Sequence, residues 1–144
     1  MIPLSEISSV AFIGSGKVTN VLSAIFLDRG VSISGISSRN QSSGKELSQK
    51  IGCEFFDDES LLRADLIVVA VNDDAVKSVI ERINPSQQVV YTAGSIELKN
   101  ISHPNCGVFY PLQTFTQGKK LDSTEIPILL ETNQIEFRQA LENF

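Results

Sequence analysis

Apolar positions along the chain switch repeatedly between two spacings. Residues 10–13 form a short apolar run that stops at Gly14. Val18, Val21, Leu22, Ile25 and Phe26 then recur at helical spacing, and Gly30 ends that helix. Residues 31–36 alternate apolar with small polar side chains, as a strand does. Residues 42–51 read as a helix closed by Gly52, 54–56 as a short strand, and 58–63 as a short helix. Residues 66–71 are continuously apolar, the pattern of a strand covered on both faces. A helix over 73–83 with Pro85 beyond its end is followed by a strand over 88–92.

The last third is less regular. Residues 107–110 read as a strand broken by Pro111. Residues 126–130 read as another, and Pro127 near its start suggests a sheet edge. From Asn133 onward, Phe137, Leu141 and Phe144 sit at helical spacing. Their apolar face packs either back on the sheet or against an outside partner, from a larger parent protein or a second copy. Strands alternating with helices predict an α/β fold: a Rossmann-type doubly wound, mostly parallel sheet with helices on both faces. At 144 residues the chain fits one domain, taken as 1–144.

Composition narrows the function. Hydrophobic residues at 42% and charged residues at 20% are ordinary for a folded soluble domain. The net charge of −5 has no basic block against it, so a nucleic-acid partner is not expected. Residues 1–9 carry no positive n-region, and no apolar run approaches the ~20 residues that span a bilayer. A cytoplasmic protein without a membrane partner is the expectation. Cys53 and Cys106 lack metal spacing and read as free thiols, although one disulfide remains possible. His103 is the single histidine, so a multi-histidine metal site is excluded, and no metal is expected. Its loop setting before Pro104 suggests a surface residue.

The segment Val10-Ala-Phe-Ile-Gly-Ser-Gly-Lys-Val18 has the order strand, glycine turn, helix start. Gly14 would allow the tight turn, and Gly16 would let the backbone approach a pyrophosphate held by the amides opening the helix. Gly14, Ser15, Gly16, Lys17 and Val18 are therefore candidate cofactor-binding residues. Thr19 stands where such loops usually carry a third glycine for close helix packing. Either the helix sits farther out, or the hydroxyl bonds back to the backbone. A plain strand-to-helix turn with no ligand is the bland alternative.

The end of the second strand reads Ser37, Ser38, Arg39, and no acid lies between Arg29 and Lys45. A carboxylate there would accept from the ribose hydroxyls of NAD, whereas serines and an arginine can donate to the 2′-phosphate of NADP. NADP is thus preferred over NAD, with Lys45 as a second cation; a solvated surface Arg39 is the alternative. Ligands of open α/β sheets lie beyond the carboxyl ends of the strands. This adds Ala70, Val71, Asn72 and Asp73 after one strand and Thr92, Ala93 and Gly94 after the next, with Ser95 beside them. Asp73 or Asp74 could equally cap the following helix. Tyr110 is the candidate catalytic proton donor, against the alternative of an interior tyrosine with a satisfied hydroxyl.

These segments resemble the N-terminal Rossmann-like domain of bacterial NADP oxidoreductases. That group is related to pyrroline-5-carboxylate reductase and, more loosely, to the 6-phosphogluconate dehydrogenase superfamily. Besides the glycine loop, the matching stretches are Ile36-Ser-Ser-Arg39, residues 64–75, Tyr91-Thr-Ala-Gly-Ser95 and Gly107-Val-Phe-Tyr-Pro-Leu-Gln-Thr-Phe115. The resemblance implies a second, helical domain that forms a homodimer and closes over the substrate site, and a chain ending near 144 would lack it. Many such relatives place a histidine where this sequence has Tyr110, which removes support for a histidine-based role there.

The expected activity is hydride transfer between NADP(H) and a small carbonyl or imine substrate. Two rivals remain from the sequence: a nicotinamide-nucleotide sensor without catalysis, and an S-adenosylmethionine site. The missing acid after the second strand argues against the latter, whose ribose also usually meets a carboxylate. Spacing around the Ser, His and Asp residues gives no support to hydrolase chemistry.

Overall fold

The computed structural model describes residues 7–93, 95–111 and 128–132. Seven strands form one sheet in the order β3-β2-β1-β4-β5-β6-β7. They are β1 (Ser9–Ile13), β2 (Ser32–Ser37), β3 (Glu54–Phe55), β4 (Leu66–Val69), β5 (Gln88–Tyr91), β6 (Cys106–Pro111) and β7 (Ile128–Thr132). The first six run parallel, and β7 pairs antiparallel with β6 at the edge. The α-helices among the described residues are α1 (Lys17–Asp28), α2 (Gln41–Ile51) and α3 (Asp73–Glu81).

The expected Rossmann-type α/β architecture is present. The differences lie at element ends. The short helix expected over 58–63 is a single 3-10 turn, Glu59–Leu61, opened by Asp58 accepting from the Ser60 N–H at 2.9 Å. The strand expected over 66–71 stops at Val69, because Asn72 already opens α3. Pro111, expected to break a strand, lies inside β6, facing Ile128. A second 3-10 turn, Leu98–Asn100, had no signature in the apolar pattern. The helix expected from Asn133 lies outside the described residues, as does Pro127.

Alternation along the strands feeds two cores. Ala11, Ile13, Ile67, Val69, Val89 and Tyr91 face Val76, Val79 and Ile80 of α3. Val10, Phe12, Ile36, Val68 and Val90 face Leu22 and Phe26 of α1 and Leu47 of α2 on the other side. Phe26 stacks on Phe12, with centroids 5.9 Å apart, and meets Phe109 edge to face at 6.1 Å. Each buried Val, Leu, Ile or Phe among them contributes about 1.5–3 kcal/mol through removal from water.

Two close approaches fix the helices on the sheet. At Gly44 of α2 a Cβ would lie 2.4 Å from the Phe55 ring, so the glycine lets that ring lie under the helix. The other approach is Gly14. Its φ is +118°, and a Cβ there would come 2.1 Å from the Ala70 carbonyl oxygen. Both demands reject every other residue.

Gly14→Ala should therefore lose about 3 kcal/mol or more of folding stability. Urea denaturation checks this, and an unchanged midpoint would contradict it.

Candidate cofactor site

The carboxyl ends of four strands are laced in one row. Gly14 N–H donates to the Ser37 carbonyl at 2.8 Å, and Ala70 N–H donates to the Ile13 carbonyl at 2.8 Å. Thr92 N–H donates to the Val69 carbonyl at 3.2 Å. From β1 the chain runs outward to β2 and β3 on one side, and β4 and β5 follow on the other. The crevice of an α/β sheet opens at such a reversal, and the glycine turn lies there.

Gly16 is the N-cap of α1, with no side-chain cap and no acid in the first turn. Helix geometry leaves the opening amides of Lys17, Val18 and Thr19 without acceptors inside the helix. They and the helix dipole present a partial positive charge at the turn. A Cβ on Gly16 would meet nothing within 4 Å, and its φ of −83° suits any residue. The fold itself does not demand a glycine there. Asn20, which the sequence reading did not single out, steadies the turn by donating from Nδ2 to the Gly16 carbonyl at 3.0 Å. Thr19 is fully buried, and its Oγ1 has no hydrogen-bond partner among the described residues. The expected alternative of a bond back to the backbone is thus not realised.

At the end of β2, Ser37 is buried, Ser38 half-buried and Arg39 exposed. Ser15 Oγ lies 2.8 Å from Ser38 Oγ and 2.6 Å from Ser43 Oγ, so the glycine turn and the β2–α2 loop are joined by hydroxyls. Asn40 caps α2, accepting from the Ser43 N–H at 3.1 Å. Ser43 escaped the sequence reading, although its place three residues after a capping Asn is a usable signal. Lys45, expected as a second cation, extends its Nζ over the Phe55 ring, 5.9 Å from the centroid.

Beyond β4, Ala70 and Val71 are half-buried and Asn72 is the exposed N-cap of α3, without a side-chain cap bond. Asp73 does not cap the helix. It accepts from Ser95 Oγ at 2.5 Å, bridging to the segment after β5. Thr92 and Ala93 are buried beside that bridge, whereas Gly94 lies outside the described residues. Tyr110 is placed on β6 opposite Leu129; its side chain, and the segment 112–115, lie outside them too.

His103 departs from expectation. It is 6% exposed, not a surface residue. Its Nδ1 accepts from the Asn105 N–H at 3.1 Å, so Nε2 carries the hydrogen toward the Asn84 carbonyl, also at 3.1 Å. These partners lie in the α3–β5 connection and the entry to β6, which makes His103 a structural tie. Burial pushes its pKa below the usual 6.5, against the opposing effect of the Asn84 bond. Cys53 and Cys106 are free thiols, and burial pushes Cys106 up to about 12.

Residues 9–92, more than half of the chain, match the family described as NADP oxidoreductase coenzyme F420-dependent. The chain belongs to that family. Among solved structures, it is similar to a candidate NADP oxidoreductase from Bacteroides fragilis, with 29% identity and a TM-score of 0.82. That alignment covers 96% of this chain and 56% of the other. It shares its fold with 1-pyrroline-5-carboxylate reductase from Streptococcus pyogenes, at 14% identity and TM-score 0.67, covering 94% of this chain and 53% of that one. Prephenate dehydrogenase from A. aeolicus, in complex with hydroxyphenyl propionate and NAD+, follows at 13% identity and TM-score 0.71, covering 96% and 56%. The chain thus spans little more than half the length of these proteins. No curated protein matches it. Family and fold together make this a domain of the pyridine-nucleotide-dependent oxidoreductases. No helix of the described residues is long and apolar enough to cross a membrane.

The His103 tie has a pH signature. The unfolded chain takes up a proton more readily than the folded one, so the contribution is complete above about pH 6.5 and is lost as pH falls through the folded value. Between about pH 7 and pH 5 the wild type should lose more melting temperature than His103→Gln. Parallel pH profiles of the two proteins would contradict this.

Proposed function

We propose that this domain binds NADP(H) and serves hydride transfer to a small carbonyl or imine substrate. The observation that carries the reading is the start of α1. It is uncapped and free of acid, and it lies behind a glycine whose missing side chain the fold does not need. An approaching diphosphate accounts for that glycine, and the opening amides supply donors for it.

The preference for the phosphorylated cofactor rests on Arg39. Its guanidinium makes no hydrogen bond or ion pair with the other described residues, and no acid competes for it between Arg29 and Lys45. Ser38 adds a hydroxyl beside it. At the other end, Thr92, Ala93 and the Asp73–Ser95 bridge would border the nicotinamide and its ribose. The bound nicotinamide carries the hydride; the protein positions it and excludes water. The reading gives Tyr110 on β6 the role of proton donor, and gives substrate closure and the pairing of two copies to a second domain.

A ligand that binds only the folded state stabilises it, by about 2.7 kcal/mol at a hundredfold excess over its Kd. NADPH should raise the melting temperature more than NADH does. A rise with S-adenosylmethionine and none with NADPH would overturn the reading. Arg39→Ala should weaken NADPH at least tenfold while leaving NADH nearly unchanged, as titrated by nicotinamide fluorescence; equal losses would remove Arg39 as the phosphate reader. Gly16→Val should abolish binding of both cofactors at an unchanged melting temperature of the free protein. Undiminished binding would show that this turn is not the cradle. Hydride transfer to a panel of imines and keto acids distinguishes an enzyme from a sensor.

A further inference from the structure

The three hydroxyls of Ser15, Ser38 and Ser43 form a connected series whose members are 23 and 28 residues apart in sequence. Ser43 Oγ also reaches the Asn40 carbonyl at 3.2 Å. That carbonyl only accepts, so with Ser43 donating to it, Ser15 donates to Ser43 and Ser38 donates to Ser15. Each hydroxyl has one hydrogen, which leaves Ser38 none for a ligand. The series can also run the opposite way. Ser43 then donates to Ser15, Ser15 donates to Ser38, and the Ser38 hydrogen turns outward. Only the long Ser43–Asn40 bond is given up in that reversal, and a charge-assisted bond to an anion exceeds it in strength.

We propose that Ser43 is a positioning residue for cofactor selection, holding Ser15 and through it Ser38, so that Ser38 donates to a 2′-phosphate without leaving its neighbours. The inference rests on the NADP(H) reading above and names a residue that touches no cofactor in it. It follows that the glycine turn and the β2–α2 loop act as one unit. Grip on the diphosphate at Ser15 and grip on the 2′-phosphate at Ser38 then support each other. NADH lacks that phosphate and draws on the second half of the unit far less.

The experiment compares wild type, Ser43→Ala, Ser43→Thr and Arg39→Ala in the full chain, by fluorescence titration with NADPH and with NADH. The Ser43 N–H stays capped by Asn40 Oδ1 in each variant, and alanine suits the first turn of a helix, so α2 is retained. A purely structural role would move both affinities alike. The expected result is a loss of about three- to tenfold for NADPH in Ser43→Ala, the range of one hydrogen bond, with a smaller loss for NADH. Ser43→Thr, which keeps the hydroxyl, should restore the NADPH-to-NADH ratio. An unchanged ratio in Ser43→Ala, with Arg39→Ala still selective, overturns the role of Ser43 and leaves the cofactor reading standing. Failure of the wild type to bind either nucleotide overturns both.

Discussion

The approach of Gly14 to the Ala70 carbonyl is the contact on which the rest of the molecule is arranged. Two backbones meet there with no side chain between them. On one side Gly14 N–H is held by Ser37, and on the other the Ile13 carbonyl is held by Ala70 N–H. The turn after β1 is thereby clamped between the ends of β2 and β4. That clamp sets the direction in which α1 leaves the sheet. It also places the α1 amides at the reversal of strand order, between the two halves of the sheet.

Charge is divided along the rim in a way that follows from this arrangement. The start of α1 is free of acids, while the first turn of α3 carries Asp73 and Asp74. Both helices point their positive ends the same way relative to the sheet, but only α1 leaves that end uncompensated. An extended anion is therefore drawn toward β1 and β2 rather than toward β4. The hydroxyl series and Arg39 lie on that same side, and the Asp73–Ser95 bridge lies on the other.

Much of the fold was legible because strands buried on both faces are written as unbroken apolar runs and helices as recurring ones. The stretches 10–13 and 66–69 stand out in any reading of the chain. Gly14 was legible for its turn, but its second duty against Ala70 depends on a residue 56 positions away. The same distance problem hid Ser43, whose partner Ser15 is close only after two strands have paired. It hid the burial of His103 as well, since its loop looks polar and exposed until Asn84 and Asn105 close around it. The close approach at Gly44 was hidden in the same way, since Phe55 comes under α2 only once β3 has joined the sheet. The contact of Lys45 with the Phe55 ring was likewise out of reach of local pattern, which gave only a second cation near Arg39.

The shortness of β3 carries a consequence for how molecules of this protein meet one another. That border of the sheet offers only Glu54 and Phe55 to a newcomer, and Glu54 is exposed. Next to it, β2 carries a bulge where Ser34 is skipped in the pairing with β1, and Ser34 Oγ is tied to the Arg63 carbonyl at 2.7 Å. A foreign strand would find a brief, charged and bent margin there, with too few free amides in line to propagate a ladder. The margin that ends the parallel sheet is thereby a poor template for strand addition, so a contact between copies has to be made through other surfaces.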